Sequence, residues 1–124
     1  MKKLISGFIV AITLSGCAMI PSFWDDNENK SIVVIVKEVD RIDCEKKDFV
    51  SLYQAKSETE WLLQYASLKG SKDIHSMVSK LETTMDPLVT KAKSGDISTS
   101  YCNLKKKVLQ NDSKRIAKAM LGRF

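Results

Sequence analysis

The sequence has few of the residues from which enzyme sites are commonly built. It contains one histidine, His75, and three cysteines in 124 residues. It has no HExxH motif, no CxxC pair and no cluster of cysteines with histidine, so the usual zinc-site spacings are missing. No serine lies in a GxSxG elbow, and no glycine-rich loop is present to hold a phosphate. We therefore expect no metal, no cofactor and no catalytic activity.

Glycine and proline are also scarce, at five and two residues, and the chain has no internal repeat. With 44% hydrophobic and 28% charged residues, its composition is that of an ordinary globular protein, and its length leaves room for one domain. The net charge is +5, which falls to +3 without Lys2 and Lys3. An excess this small does not indicate a nucleic-acid partner.

No apolar run is long enough to cross a bilayer, which takes roughly twenty residues. The run at 4–14 has eleven residues and follows Lys2 and Lys3. A positively charged N-terminal region followed by a short apolar segment is typical of a secretory signal peptide.

The apolar run ends in Leu14-Ser15-Gly16-Cys17, which resembles the lipobox of bacterial lipoproteins. The resemblance implies that the signal peptidase recognises Leu14, Ser15 and Gly16. It also implies that Cys17 becomes the first mature residue, lipidated on its thiol and acylated on its new amino group with chains such as palmitate. The alternative is that Cys17 is a structural cysteine. In the Gram-negative members of this class aspartate after the cysteine favours the inner membrane, so Ala18 implies the periplasmic face of the outer membrane.

The sequence thus divides into a signal at 1–16, a tether at 17–30 and a helical domain at 31–124. The tether contains Pro21 and a polar cluster with no helical period. Its Phe23 and Trp24 either sit at the membrane interface or fold back as a lid over the core.

The domain is predicted to be all-α, a small antiparallel bundle of three to four helices. The run of β-branched residues at 32–36 has strand propensity, but no other segment offers a partner strand. A helix over 31–43 with Ser31 as N-cap places five apolar residues on one stripe: Ile32, Ile35, Val36, Val39 and Ile42. Residues 44–68 are predicted to continue this helix, with an irregularity near Cys44. Their apolar positions are Phe49, Leu52, Tyr53, Trp61, Leu62, Tyr65 and Leu68.

Two further helices are separated by glycine-containing turns. The first, over 73–94 after Gly70, has the clearest stripe, at Ile74, Met77, Val78, Leu81, Met85, Leu88, Val89 and Ala92. Pro87 predicts a kink or break in it, because proline has no amide to donate to Thr83. The last helix, over 98–121 after Gly95, is predicted to bury Tyr101, Leu104, Val108, Ile116, Ala119 and Met120 and to bend at 110–113.

With Cys17 lipidated, Cys44 and Cys102 remain as a pair in an oxidising compartment. Helices joined by short loops run antiparallel, and the 73–94 helix, about 33 Å long, returns the chain to the level of Cys44. The last helix begins there and carries Cys102 in its first turns. We therefore predict a Cys44–Cys102 disulfide. The alternatives are that Cys44 and Cys102 form a redox-active pair or that they bind a metal ion.

Two basic runs are candidate contacts for an anionic surface or an acidic partner. They comprise Lys105, Lys106, Lys107, Lys114, Arg115, Lys118 and Arg123. The alternative for them is a solvated helix face, and His75 is likewise expected to be solvated.

These features predict a non-catalytic, lipid-anchored interaction or structural module facing the periplasm, whose partner is an envelope protein or an anionic lipid surface. The alternatives are a phage-type lipoprotein that modifies the envelope, by receptor block, superinfection exclusion or lysis, and a cell-wall or lipid hydrolase. Phage lipoproteins are similar only in size and layout.

Overall fold

A computed structural model describes residues 23–123, which form four α-helices joined by short loops. The helices are α1 (Asp26–Asp40), α2 (Val50–Lys69), α3 (Lys72–Ser94) and α4 (Thr99–Leu121). Each packs on the next, and α1 also packs on α4, so the four form a closed square. Contacts between Lys69 and Asp25, between Asp73 and Arg123, and between Lys91 and Tyr101 show that neighbours run antiparallel. The all-α antiparallel bundle is confirmed in its four-helix form.

Helix α1 begins earlier than the sequence indicated. Its N-cap is Asp25, whose side chain accepts the Glu28 N–H, and Asp26 and Glu28 add negative charge to the first turn. The prediction of Ser31 as N-cap is wrong, and residues 26–30, assigned to the tether, are the first part of the helix. Ser31 is buried, and its hydroxyl donates to Glu58 on α2.

Residues 41–49 form a loop, so the prediction of one helix running through Cys44 is wrong. Asp43 and Asp48 pair their backbones as an isolated antiparallel bridge. Their side chains accept the amides of Lys46 and Val50, a local alternative to helical hydrogen bonds. Lys47 has φ 53, in the left-handed region, which a continuous helix does not permit.

The core stripe of α2 is made partly of small residues: Leu52, Ala55, Thr59, Leu62 and Ala66 are all fully buried. The Thr59 hydroxyl donates to the Ala55 carbonyl, which satisfies this buried polar group. Gly70 then ends the helix with φ 86, as its position predicted.

Helix α3 buries the predicted stripe, and it is continuous through Pro87. The predicted break does not occur. Pro87 is exposed, whereas Met85 before it and Leu88 and Val89 after it are buried in the same core. Packing on both sides of the proline therefore outweighs the lost amide hydrogen bond.

Helix α4 is rotated from the predicted orientation. Leu104 is 62% exposed, and Val108 and Ala119 are exposed as well, so their assignment to the core is wrong. Tyr101 is half-buried, and Ile116 and Met120 are buried as predicted. The buried residues of this helix are Cys102, Leu109, Ser113, Ile116, Ala117 and Met120. The helix is also continuous through 110–113.

The predicted disulfide is confirmed, with the sulfur atoms of Cys44 and Cys102 at 2.09 Å and both residues buried. It joins the α1–α2 loop to the first turn of α4, across a sequence separation of 58. Lys106 reinforces this junction, because its ammonium donates to the Ile42 carbonyl at 2.7 Å.

Replacing both cysteines, Cys44→Ala and Cys102→Ala, is expected to lower the free energy of unfolding by about 4 kcal/mol, because the unfolded chain regains the entropy of a long loop. Urea denaturation followed by circular dichroism measures this loss. Dithiothreitol serves as the control, since it should destabilise the original chain by a similar amount and leave the double variant unchanged. Equal stability of the two chains would contradict the role given to the bond.

Candidate interaction surfaces

The proposed lipidation site lies outside the described residues. Cys17 and its recognition positions Leu14, Ser15 and Gly16 precede Phe23, where the description begins, so their roles stay predictions. Among the helices of residues 23–123, none combines the length and the apolar character needed to cross a membrane.

Phe23 and Trp24 are not a lid over the core. Phe23 is 80% exposed and Trp24 is 45% exposed, so that alternative is wrong. The Trp24 indole N–H donates to Asp26 at 2.8 Å, which orients the ring at the start of α1.

The first basic run, Lys105 to Lys107, makes contacts within the bundle. Lys106 binds the Ile42 carbonyl, and the Lys105 ammonium lies 5.8 Å from the centre of the Tyr101 ring, on which Lys91 also sits at 5.0 Å. Lys107 is exposed to solvent. Lys106 therefore helps to dock α4 on the α1–α2 loop, whereas the contact of Lys105 is within α4.

The cations of the second basic run, at positions 114–123, are largely paired with acidic groups. Lys114 lies 3.5 Å from Asp40, Arg115 lies 2.7 Å from Asp112, and Arg123 lies 3.4 Å from Asp73. Lys118 is exposed. Lys106 and Lys118 are twelve residues apart on one helix, or about 18 Å. The seven predicted cations therefore do not form a single patch.

An ion cluster joins the start of α1 to the end of α2. The Lys69 ammonium lies 3.0 Å from Asp25 and 3.1 Å from Glu28, which is fully buried. The Tyr65 hydroxyl donates to Asp25 and accepts from Asn27, both at 3.2 Å. This cluster holds the end of the bundle opposite the disulfide.

The charges of this cluster are stabilised by one another. Burial works to raise the pKa of Asp25, but the Glu28 amide, the Lys69 ammonium and the Tyr65 hydroxyl outweigh it and hold the pKa below its ordinary value. Burial works to lower the pKa of Lys69, and the carboxylates of Asp25 and Glu28 outweigh that effect and raise it. Asp25 is therefore a carboxylate and Lys69 an ammonium near neutral pH.

The outward side of α2 carries large apolar side chains, which we term the α2 outer surface. It comprises Val50, Tyr53, Trp61, Tyr65 and Leu68. These positions fall within an arc of about 120° on the side of the helix opposite its core stripe. Leu68 is 83% exposed, and the Trp61 and Tyr65 rings stack with centroids 5.0 Å apart. Four of these residues, Tyr53, Trp61, Tyr65 and Leu68, are among the apolar positions that the sequence marked on this helix.

His75 is exposed, as predicted, and lines a shallow groove with Glu60, Leu68 and Glu82. Within residues 23–123 no group of three or more histidine, cysteine, aspartate or glutamate side chains is arranged to hold a metal ion.

No family model matches this chain, and neither a curated protein nor a solved structure matches it.

Replacing Lys69 by methionine is expected to lower the free energy of unfolding by about 3 kcal/mol, because it leaves Glu28 buried with no opposite charge. Thermal or urea unfolding measures the change. Lys72→Met is the matched control, since Lys72 is exposed at the first position of α3, three residues after Lys69, and has no ion pair within the described residues. Equal stability of the two variants would show that Lys69 does not neutralise Glu28.

Proposed function

We propose that this protein is a non-catalytic interaction module, anchored by lipid at Cys17 to the periplasmic face of the outer membrane, and that it contacts a neighbouring envelope protein through the α2 outer surface. The anchor rests on the signal-like segment and on the sequence Leu14-Ser15-Gly16-Cys17. Several acyl chains together give a far more durable anchor than one.

The exposed apolar side chains of α2 carry the proposal. The core is filled by other residues, so Trp61 and Leu68 are not needed to complete it. Val50 and Leu68 lie eighteen residues apart on the same side of α2, so the surface extends for about 27 Å along the helix. Val50 and Tyr53 form one exposed apolar group and Trp61, Tyr65 and Leu68 form another, with the polar residues Gln54 and Ser57 between them. Exposed apolar groups of this kind, rimmed by polar residues, are typical of a protein interface.

The stacked Trp61 and Tyr65 rings are suited to the centre of such an interface. Tryptophan and tyrosine supply much of the binding energy at protein interfaces. The Tyr65 hydroxyl is held by Asp25 and Asn27, so the pair is already oriented before a partner binds. Anchoring in a membrane raises the effective concentration of the module near a partner in the same envelope.

Photo-crosslinking in intact cells tests this function. With p-benzoylphenylalanine at position 61, we expect a discrete adduct with an envelope protein. The matched control carries the same group at position 103 on α4, because Asn103 is also exposed but lies away from the α2 outer surface. The adduct should disappear when Cys17→Ser removes the anchor.

Adducts of equal yield at both positions, or none at position 61, would contradict the proposal. An adduct of twice the chain's mass would contradict it too, since it would identify a second copy as the partner.

A further inference from the structure

We propose that the face formed by α1 and the end of α4 lies on an anionic membrane surface, with Trp24 in the headgroup region. The inference rests on the proposed anchoring and adds an orientation to it: the bundle turns α1 and α4 toward the membrane and α2 away from it.

An apolar groove marks this face. Its volume is about 550 Å³, and its walls are Trp24, Val33 and Val34 from the N-terminal part and Leu121 from the end of α4. These four side chains are 40–48% exposed, and Phe23 beside them is 80% exposed. We term this region the α1–α4 groove.

Unpaired cations surround the groove. Lys30 lines it, Lys37 lies one turn beyond Val33 and Val34, and Lys118 lies one turn before Leu121. All three are exposed, and none has an ion pair within residues 23–123.

Two acidic side chains also lie on this face. Asp40 accepts from Gln110 and pairs with Lys114. Asp26 lines the groove and accepts the indole N–H of Trp24, but no cation pairs with it within the described residues, so the three lysines leave the face with a net positive charge. Free positive charge around apolar and aromatic side chains matches an anionic lipid surface, where lysines bind phosphates and tryptophan settles at the interface.

The groove also contains a buried polar group without a partner. Asn29 lines it and is 4% exposed, and within the described residues neither atom of its carboxamide has a hydrogen bond. Such a group is costly in an apolar setting. Both carboxamide atoms are shielded from solvent in the free bundle, so this group is a cost inside the helix packing and is not counted as a lipid contact.

The length of chain before Phe23 favours the membrane as occupant. Five residues lie between Cys17 and Phe23, and the six steps from one to the other extend to at most about 22 Å. The end of the bundle with the groove is therefore held next to the lipid. A second copy is a poorer match, since two-fold pairing of this face would bring like charges together.

Quenching by brominated lipid tests the orientation, because the chain contains two tryptophans and both are 45% exposed. The lipidated full chain is extracted and reconstituted in vesicles of phosphatidylethanolamine and phosphatidylglycerol, part of which carries brominated acyl chains. Trp61→Phe leaves Trp24 as the reporter, and Trp24→Phe leaves Trp61. We expect Trp24 to lose most of its emission and Trp61 to keep its own.

A second pair of variants tests the charges. Lys30→Glu with Lys37→Glu is expected to abolish the quenching of Trp24 while the chain stays on the vesicles. Lys72→Glu with Lys80→Glu, two exposed lysines of α3, should leave the quenching unchanged.

Equal quenching of the two tryptophans, or none at Trp24 in a chain that remains on the vesicles, would overturn the orientation and leave the anchor standing. Protection of Trp24 from acrylamide that rises with protein concentration, without quenching by bromine, would assign the groove to a second copy. A chain that does not stay on the vesicles at all would refute the proposed function itself.

Discussion

The packing of the first helix against the last is the constraint on which the rest of this structure depends. Helices α1 and α4 are the most distant in sequence, yet their contact closes the square of four helices. The Cys44–Cys102 bond fixes one end of that contact. At the other end the α1–α4 groove lies between the two helices, beside the chain that leads to Cys17. The helix pairing that completes the core therefore also creates the proposed membrane face.

The rotation of α4 was predictable from the disulfide, although the apolar spacing alone predicted a different one. Leu104 lies two residues after Cys102, or about 200° around the helix, so the two cannot both face the core. Leu109 and Ile116, seven and fourteen residues after Cys102, lie on its side of the helix and are buried. The cysteine pair was thus better evidence for orientation than the large apolar residues. In α3 no such conflict exists, because one stripe contains every large apolar residue of the helix. The predicted core stripe of α3 is confirmed.

The parts that sequence reasoning missed depend on buried polar and small residues. The start of α1 buries Glu28 and Asn29, which no hydrophobic pattern identifies, although Asp25 three residues before Glu28 is a recognisable cap. In α2 the alanines and Thr59 face the core, so the aromatic side chains lie outside. Their exposure could not be inferred from α2 alone, because it depends on how closely the neighbouring helices approach. That same exposure is the basis of the proposed protein contact, which places the partner on one side of the bundle and lipid on another.

The account as a whole depends on the anchor at Cys17, and the intact mass of the protein purified from membranes tests it most directly. The account predicts a chain that begins at Cys17, lacks residues 1–16 and exceeds the mass of residues 17–124 by a diacylglycerol and one acyl group. A chain that retains residues 1–16, or one that begins at another residue without lipid, would contradict it.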